Sequence, residues 1–91
     1  AQKVSEKMAV IARNHQILCI THLAQIASMA DQHYIIEKKP ANSKTVTNIG
    51  RLSEEESIEE LARILGGAKI TETVLDSARE MKELAKNTKK Y

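Results

Sequence analysis

A chain of 91 residues and 10.1 kDa holds at most one domain, because a core of that size is only modestly stabilising. Hydrophobic residues at 42% against 29% charged set a globular balance and exclude a disordered polymer. Two Tyr with neither Phe nor Trp leave little for stacking on bases, and a net charge of +2 spread over acidic and basic segments makes no strong polyanion-binding field.

The single cysteine, Cys19, stands in an apolar run and has no partner in the chain for a disulfide. A buried reduced thiol fits a cytosolic protein. Lys3, Glu6 and Lys7 interrupt the amphipathic start, unlike a signal peptide, and the apolar run at residues 17–20 is far too short to span a bilayer. The expectation is a soluble, cytoplasmic chain with no membrane partner.

Val4, Met8, Ile11 and Ala12 recur at helical spacing, which predicts an amphipathic helix over residues 1–14 with no capping residue before it. Residues 14–16 break the pattern. Ile17-Leu18-Cys19-Ile20 is then continuously apolar and ends at Thr21-His22. A run that does not alternate predicts a strand covered on both faces, as in the centre of a parallel sheet. Residues 23–30 read as a short helix with Leu23, Ile26, Ala27 and Ala30 on one face.

Residues 33–39 and 45–49 carry β-formers and alternation, and Pro40-Ala41-Asn42-Ser43 has turn chemistry, which together predict an antiparallel hairpin at a sheet edge. Ser53 with Glu56 three residues later forms a capping box, and Glu54, Glu55 and Glu56 suit the positive end of a helix dipole. The inward stripe of that helix is Ile58, Leu61, Ala62 and Leu65, and Gly66-Gly67 ends it. Thr71 caps a last helix whose Val74, Ala78, Met81 and Ala85 face inward, fading into a frayed end over residues 86–91.

The expected order is α-β-α-β-β-α-α, an α/β fold with an incomplete parallel sheet and an edge hairpin. Residues 1–39 are expected to hold the first helix, the core strand and the His22 region, and residues 40–91 the edge hairpin and the two last helices. A doubly covered strand followed only by a hairpin lacks its parallel neighbours, so the pattern favours a fragment of one domain, or a subdomain completed by association.

His22 lies just past the C-terminal end of the expected strand, the edge where ligands collect in open α/β sheets. The plainer alternative is a histidine that caps the next helix or bonds to a loop, since a site needs more than a fold-level argument. Residues 16–27, Gln-Ile-Leu-Cys-Ile-Thr-His-Leu-Ala-Gln-Ile-Ala, with Ala30-Asp31 after them, resemble the end of the bacterial RecN family. The resemblance continues through Ile36-Glu37-Lys38, Arg51-Leu52 and the stretch from Glu60 to Gly67, so it covers nearly the whole chain.

That family belongs with the SMC-like, ABC-type ATPases of DNA double-strand break repair and recombination. The resemblance implies that this chain is the C-terminal portion of a P-loop ATPase head. It also implies that His22 is similar to the switch histidine approaching the γ-phosphate of ATP, a site role shared by catalysis and nucleotide binding. ATP and Mg2+ would act in the intact protein, and the fragment alone would bind neither. The implied partners are the remainder of the head, a second head closing as a homodimer around ATP, and DNA; the implied location is the bacterial cytoplasm, near the nucleoid. Ala24 departs from the family pattern, which has proline after Thr-His-Leu, and this touches only the helix start.

The phosphate loop itself is missing from these residues. The glycines are Gly50, Gly66 and Gly67, and no G-x-x-x-x-G-K-[ST] occurs. Gly66-Gly67-Ala68-Lys69 follows a helix and reads as a helix stop, so the chain alone is expected to be inactive as an ATPase. His15, His22 and His33 are dispersed without ligand spacing, which favours structural or surface roles over a metal. Lys82, Lys86, Lys89 and Lys90 are interspersed with Glu80 and Glu83, and read as a solvated face before they read as a phosphate contact. Ser5, Ser28 and Cys19 have no matching base in the pattern.

The competing function is a small stand-alone interaction module that pairs with itself or a partner through an edge strand. A small DNA-binding protein is disfavoured by the low net charge and the lack of a groove-reading motif.

Overall fold

The two most strongly signalled helices carry the fold, and a computed structural model, describing residues 2–89, shows how. Helix α3 spans Glu54–Gly66 and helix α4 spans Glu72–Thr88. The capping box forms as the sequence predicts: Ser53 Oγ accepts from the Glu56 N–H at 3.2 Å, and Glu56 Oε1 accepts from the Ser53 N–H at 2.9 Å. Two otherwise orphaned donors at the helix start are thereby satisfied. Gly67 stops the helix at φ 69, in the left-handed region that a Cβ disfavours. Thr71 Oγ1 accepts from the Val74 N–H at 3.2 Å and starts α4.

Two shorter helices precede them, α1 at Gln2–Ile11 and α2 at Ala24–Ser28. The core is the place where α2, α3 and α4 meet. Ala24, Ile58, Leu61, Ala62 and Ala78 are buried there, with Ala27, Ile64, Val74, Leu75 and Met81 packed around them. Leu61 is 1% exposed and alone contributes about 1.5–3 kcal/mol of burial. Small residues dominate the contact, so the helices approach closely; a Cβ on Gly66 would stand 3.1 Å from Val74 Cγ1.

Strands β1 (Tyr34–Ala41) and β2 (Lys44–Arg51) pair antiparallel in the register Tyr34↔Arg51 to Ala41↔Lys44. The two-residue loop places Asn42 at φ 48 and Ser43 at φ 63, the pair of positive values that a type I′ hairpin turn requires. The turn is thus narrower than the expected 40–43, and Pro40 sits inside β1 opposite Thr45. Nearly every hairpin residue is exposed.

Three expectations need correction. Residues 17–20 form no strand, and the only sheet among the described residues is the hairpin, so the observed order is α-α-β-β-α-α. The apolar run has no neighbouring strand to pair with, and a lone strand has no hydrogen-bond partners. The expected parallel sheet is accordingly not formed within these residues, and Cys19 is exposed, not buried.

The second correction concerns which side chains face inward. In α1, Val4 and Ile11 are 55% and 50% exposed, while Ser5 is buried, because α1 rests on little besides α2. In α2, Ala24 and Ser28 are buried while Leu23 is 43% exposed, and in α3, Leu65 is 42% exposed. The third is length: α1 ends at Ile11 and α2 runs from Ala24 to Ser28, each shorter than its periodicity implied. Ala1 at the expected start of α1, and Lys90 and Tyr91 at the expected frayed end, lie outside the described residues.

Candidate functional site

The chain enters α2 through an uncovered apolar stretch. Leu18 is 88% and Ile20 is 87% exposed, values usual for a solvated loop and unusual for large aliphatic side chains in an apolar run. Thr21 Oγ1 then accepts from the Leu23 N–H at 3.0 Å, a side-chain turn that redirects the backbone into the helix. The Ala27 N–H donates to the Leu23 carbonyl at 3.0 Å and locks the first turn of α2 onto that bend. His22 stands between the two bonded residues and is exposed.

The other sequence candidates fall elsewhere. His15 Nδ1 lies 3.2 Å from the Ile11 carbonyl at the end of α1. Among the described residues no group of His, Cys, Asp and Glu could hold a metal ion. The Ser5 and Ser28 hydroxyls donate to the Gln2 and Gln25 carbonyls at 2.7 and 3.0 Å, so both are engaged by their own helices. The Gly67 N–H donates to the Arg63 carbonyl at 2.9 Å, which makes Gly66-Gly67 the helix stop that was expected.

A polar junction that periodicity did not reveal fills the space between α2, β1, α3 and α4. His33, half-buried just before β1, bridges two elements: its Nε2 meets the Ala27 carbonyl and its Nδ1 meets the Ser57 hydroxyl. A carbonyl only accepts, so Nε2 carries the proton and the Ser57 hydroxyl donates to Nδ1 in the neutral ring. Burial pushes the His33 pKa below its ordinary value; the bond to Ala27 and nearby Glu54 oppose that, and Lys82 and Lys89 add to it.

Lys82 is 8% exposed with its ammonium 3.4 Å from Glu54, and Lys86 reaches the same carboxylate at 3.3 Å. Partial burial pushes the Glu54 pKa up, but Lys82 and Lys86 outweigh it and hold the group below the usual carboxylate range. Lys89 Nζ donates to the Met29 carbonyl and to Asp31, each at 2.9 Å.

The expected solvated lysine face is therefore corrected: Lys82 and Lys89 tie α4 to the rest of the fold, Lys86 remains exposed, and Lys90 lies outside the described residues. The signal was present in the spacing, since Lys82 lies four residues after Ala78 and three before Ala85, on the inward stripe. Ser28, Ala30 and Asp31 join Glu54 and the three lysines around a shallow polar depression. Its charges are consumed by these pairs.

The class these features define is an α/β segment in which an exposed histidine separates an uncovered apolar stretch from a helix docked on a helical pair. No family model matches the chain. Over 89 residues it is 40% identical to the DNA repair protein RecN of Halalkalibacterium halodurans, covering 98% of this chain and 16% of that protein. It is 36% identical to RecN of Bacillus subtilis with the same coverage, and 41% identical over 78 residues to RecN of Deinococcus radiodurans, covering 86% of this chain and 14% of the relative. The chain belongs to the RecN family, consistent with the C-terminal part that the residues around His22 resemble, and it spans about one sixth of the length of these curated relatives. No helix among the described residues is long and apolar enough to cross a membrane.

Proposed function

We propose that this chain is the C-terminal lobe of a RecN-like ATPase head acting in DNA double-strand break repair and recombination, with His22 as the histidine that senses the γ-phosphate of ATP. The observation that carries the reading is the apolar run 17–20, exposed at Leu18, Cys19 and Ile20 and ending at Thr21-His22, in a chain of this family. Exposure of Leu18 and Ile20 is costly for an isolated chain and is relieved when neighbouring strands of the same head flank the run. The run then becomes a central strand, and His22 stands at its C-terminal end.

An exposed imidazole beside a fixed turn fits a phosphate-facing role: it is accessible, and its backbone is held on the N-terminal side by Thr21 and on the C-terminal side by Leu23. ATP with Mg2+ supplies the phosphoryl group for transfer, and catalysis of that reaction rests on positioning and charge stabilisation. His22 contributes a ring N–H that donates to an anionic oxygen or orients a water, as a helper and sensor. The phosphate loop and the metal-binding carboxylates belong to the remainder of the head, and closure of a second head places the two sites face to face. DNA is the distant partner, in keeping with the net charge of only +2 on this lobe.

Family membership favours this reading over a stand-alone module joined through its edge strand. The test is ATP turnover by a full-length RecN protein carrying this sequence, with and without His22→Ala. Turnover is expected to fall by about 10²-fold, the scale on which removal of one charge-stabilising donor acts. Unchanged turnover overturns the role assigned to His22.

A further inference from the structure

An unbroken series of hydrogen bonds runs from the first turn of α3 to the residue before His22. The Ser57 hydroxyl meets His33 Nδ1, and His33 Nε2 meets the Ala27 carbonyl. The N–H of that same Ala27 donates to the Leu23 carbonyl at 3.0 Å, and the N–H of that same Leu23 donates to Thr21 Oγ1 at 3.0 Å. Each shared residue is bonded at both of its groups, so displacement of one end is felt at the other.

The anchored end is rigid. Ser57 is 3% exposed, its N–H donates to the Ser53 carbonyl at 2.8 Å, and it lies inside the capped start of α3 beside the buried Ile58. The free end is the bend that carries His22. A second tie holds the far end of α2, where Lys89 Nζ donates to the Met29 carbonyl at 2.9 Å. A five-residue helix has too few internal bonds to fix its own position, so these outside donors set where it lies.

From this geometry we infer that His33 is a positioning residue: by joining the Ala27 carbonyl to Ser57 it fixes the Thr21-His22-Leu23 bend relative to α3, and so holds His22 at the place where it meets the nucleotide. The inference rests on the switch role of His22. His33 acts through the backbone of α2 and touches no reacting atom.

The experiment measures amide hydrogen exchange and steady-state ATP turnover in a full-length RecN protein carrying this sequence, for His33→Ala, Ser57→Ala, His33→Gln and His22→Ala. With the relay cut, the Leu23 and Ala27 amides exchange about tenfold faster, while the amides of α4 do not change. For His33→Ala and Ser57→Ala, kcat falls by about tenfold with KM nearly constant, as a small misplacement of a catalytic group requires. The glutamine side chain offers both a donor and an acceptor, so His33→Gln restores exchange and kcat toward the parent.

If His33→Ala does not fold, Ser57→Ala carries the test, because a methyl group fits the space of a buried hydroxyl-bearing side chain of similar size. Unchanged exchange at Leu23 and Ala27 in a folded variant overturns the relay. Unchanged kcat in His33→Ala and Ser57→Ala, while His22→Ala lowers it, overturns the positioning role. If His22→Ala itself leaves turnover unchanged, the switch role fails and the positioning role fails with it, whereas the exchange rates still decide whether the relay exists.

Discussion

Lys82 of α4 places its ammonium 3.4 Å from Glu54, the first residue of α3, and the lysine is the buried member of the pair while Glu54 is 59% exposed. The pair crosses between the two long helices at the end opposite the Gly66–Val74 approach, so it fixes their relative setting from the other side.

Glu54→Gln is expected to destabilise the chain by about 1 kcal/mol in urea unfolding. Removal of one member of a fully buried pair costs ~3–5 kcal/mol, but half-exposure of Glu54 and the second cation, Lys86, reduce the loss. Lys82→Met keeps the packing volume of the stem and removes the charge, and is expected to be nearly neutral. A larger loss for Lys82→Met than for Glu54→Gln would contradict this account of the pair.

His33 makes stability depend on pH in a defined direction. Its folded pKa lies below the ordinary 6.5, mainly through burial, so the unfolded chain takes up a proton first as the pH falls. Its contribution is complete above pH 6.5 and is lost progressively below it, down to the depressed folded value. Glu54 acts in the same direction at more acidic pH: its folded pKa is held down by Lys82 and Lys86 against desolvation, so its contribution is present above the usual carboxylate range and lost as the pH drops through the folded value. Unfolding measured from pH 7.5 to 5 should show His33→Gln flattening the upper part of this decline. An identical slope in that variant assigns the decline to other groups.

The capping box contributes through two bonds at one turn. Ser53→Ala removes the acceptor for the Glu56 N–H, while the backbone N–H of residue 53 that donates to the Glu56 carboxylate is retained, with a cost of about 1 kcal/mol. Thermal unfolding of that variant, with Ser53→Asp as the control that keeps an acceptor, checks it. Equal losses in the two variants would show that the bond is not what matters there.

These residues also show what a sequence exposes to reading and what it conceals. Ser53, Glu56 and Thr71 act within four residues of themselves, so the caps of α3 and α4 were legible, as was a turn within residues 40–43, which the structure narrows to Asn42-Ser43. Residues 17–20 were read as a strand from their unalternating apolar character, which reports the burial that the run is suited to; pairing needs strands that these residues do not contain. His33, Ser57 and Lys82 were missed as a junction because their partners lie 24 to 28 positions away in sequence, at Ser57, His33 and Glu54 respectively, and only the crossing of α3 with α4 and the docking of α2 bring them together. His22 was singled out by its place after the apolar run, whereas the partners proposed for it lie outside the chain and leave no mark in its spacing.

The measurement that bears most directly on the whole account is amide hydrogen exchange at residues 17–20, compared between this chain alone and a full-length RecN protein carrying the same sequence. In the chain alone these amides should exchange at nearly the rate of an open backbone, since the run is unpaired and Leu18 and Ile20 are exposed. In the full-length protein they should be protected as strongly as the α3 core around Leu61, because the proposed neighbouring strands would bond the run on both sides, with His22 at its end. Fast exchange at residues 17–20 in the full-length protein, with α3 protected, would contradict the claim that this lobe contributes a central strand and its terminal histidine to an ATPase head.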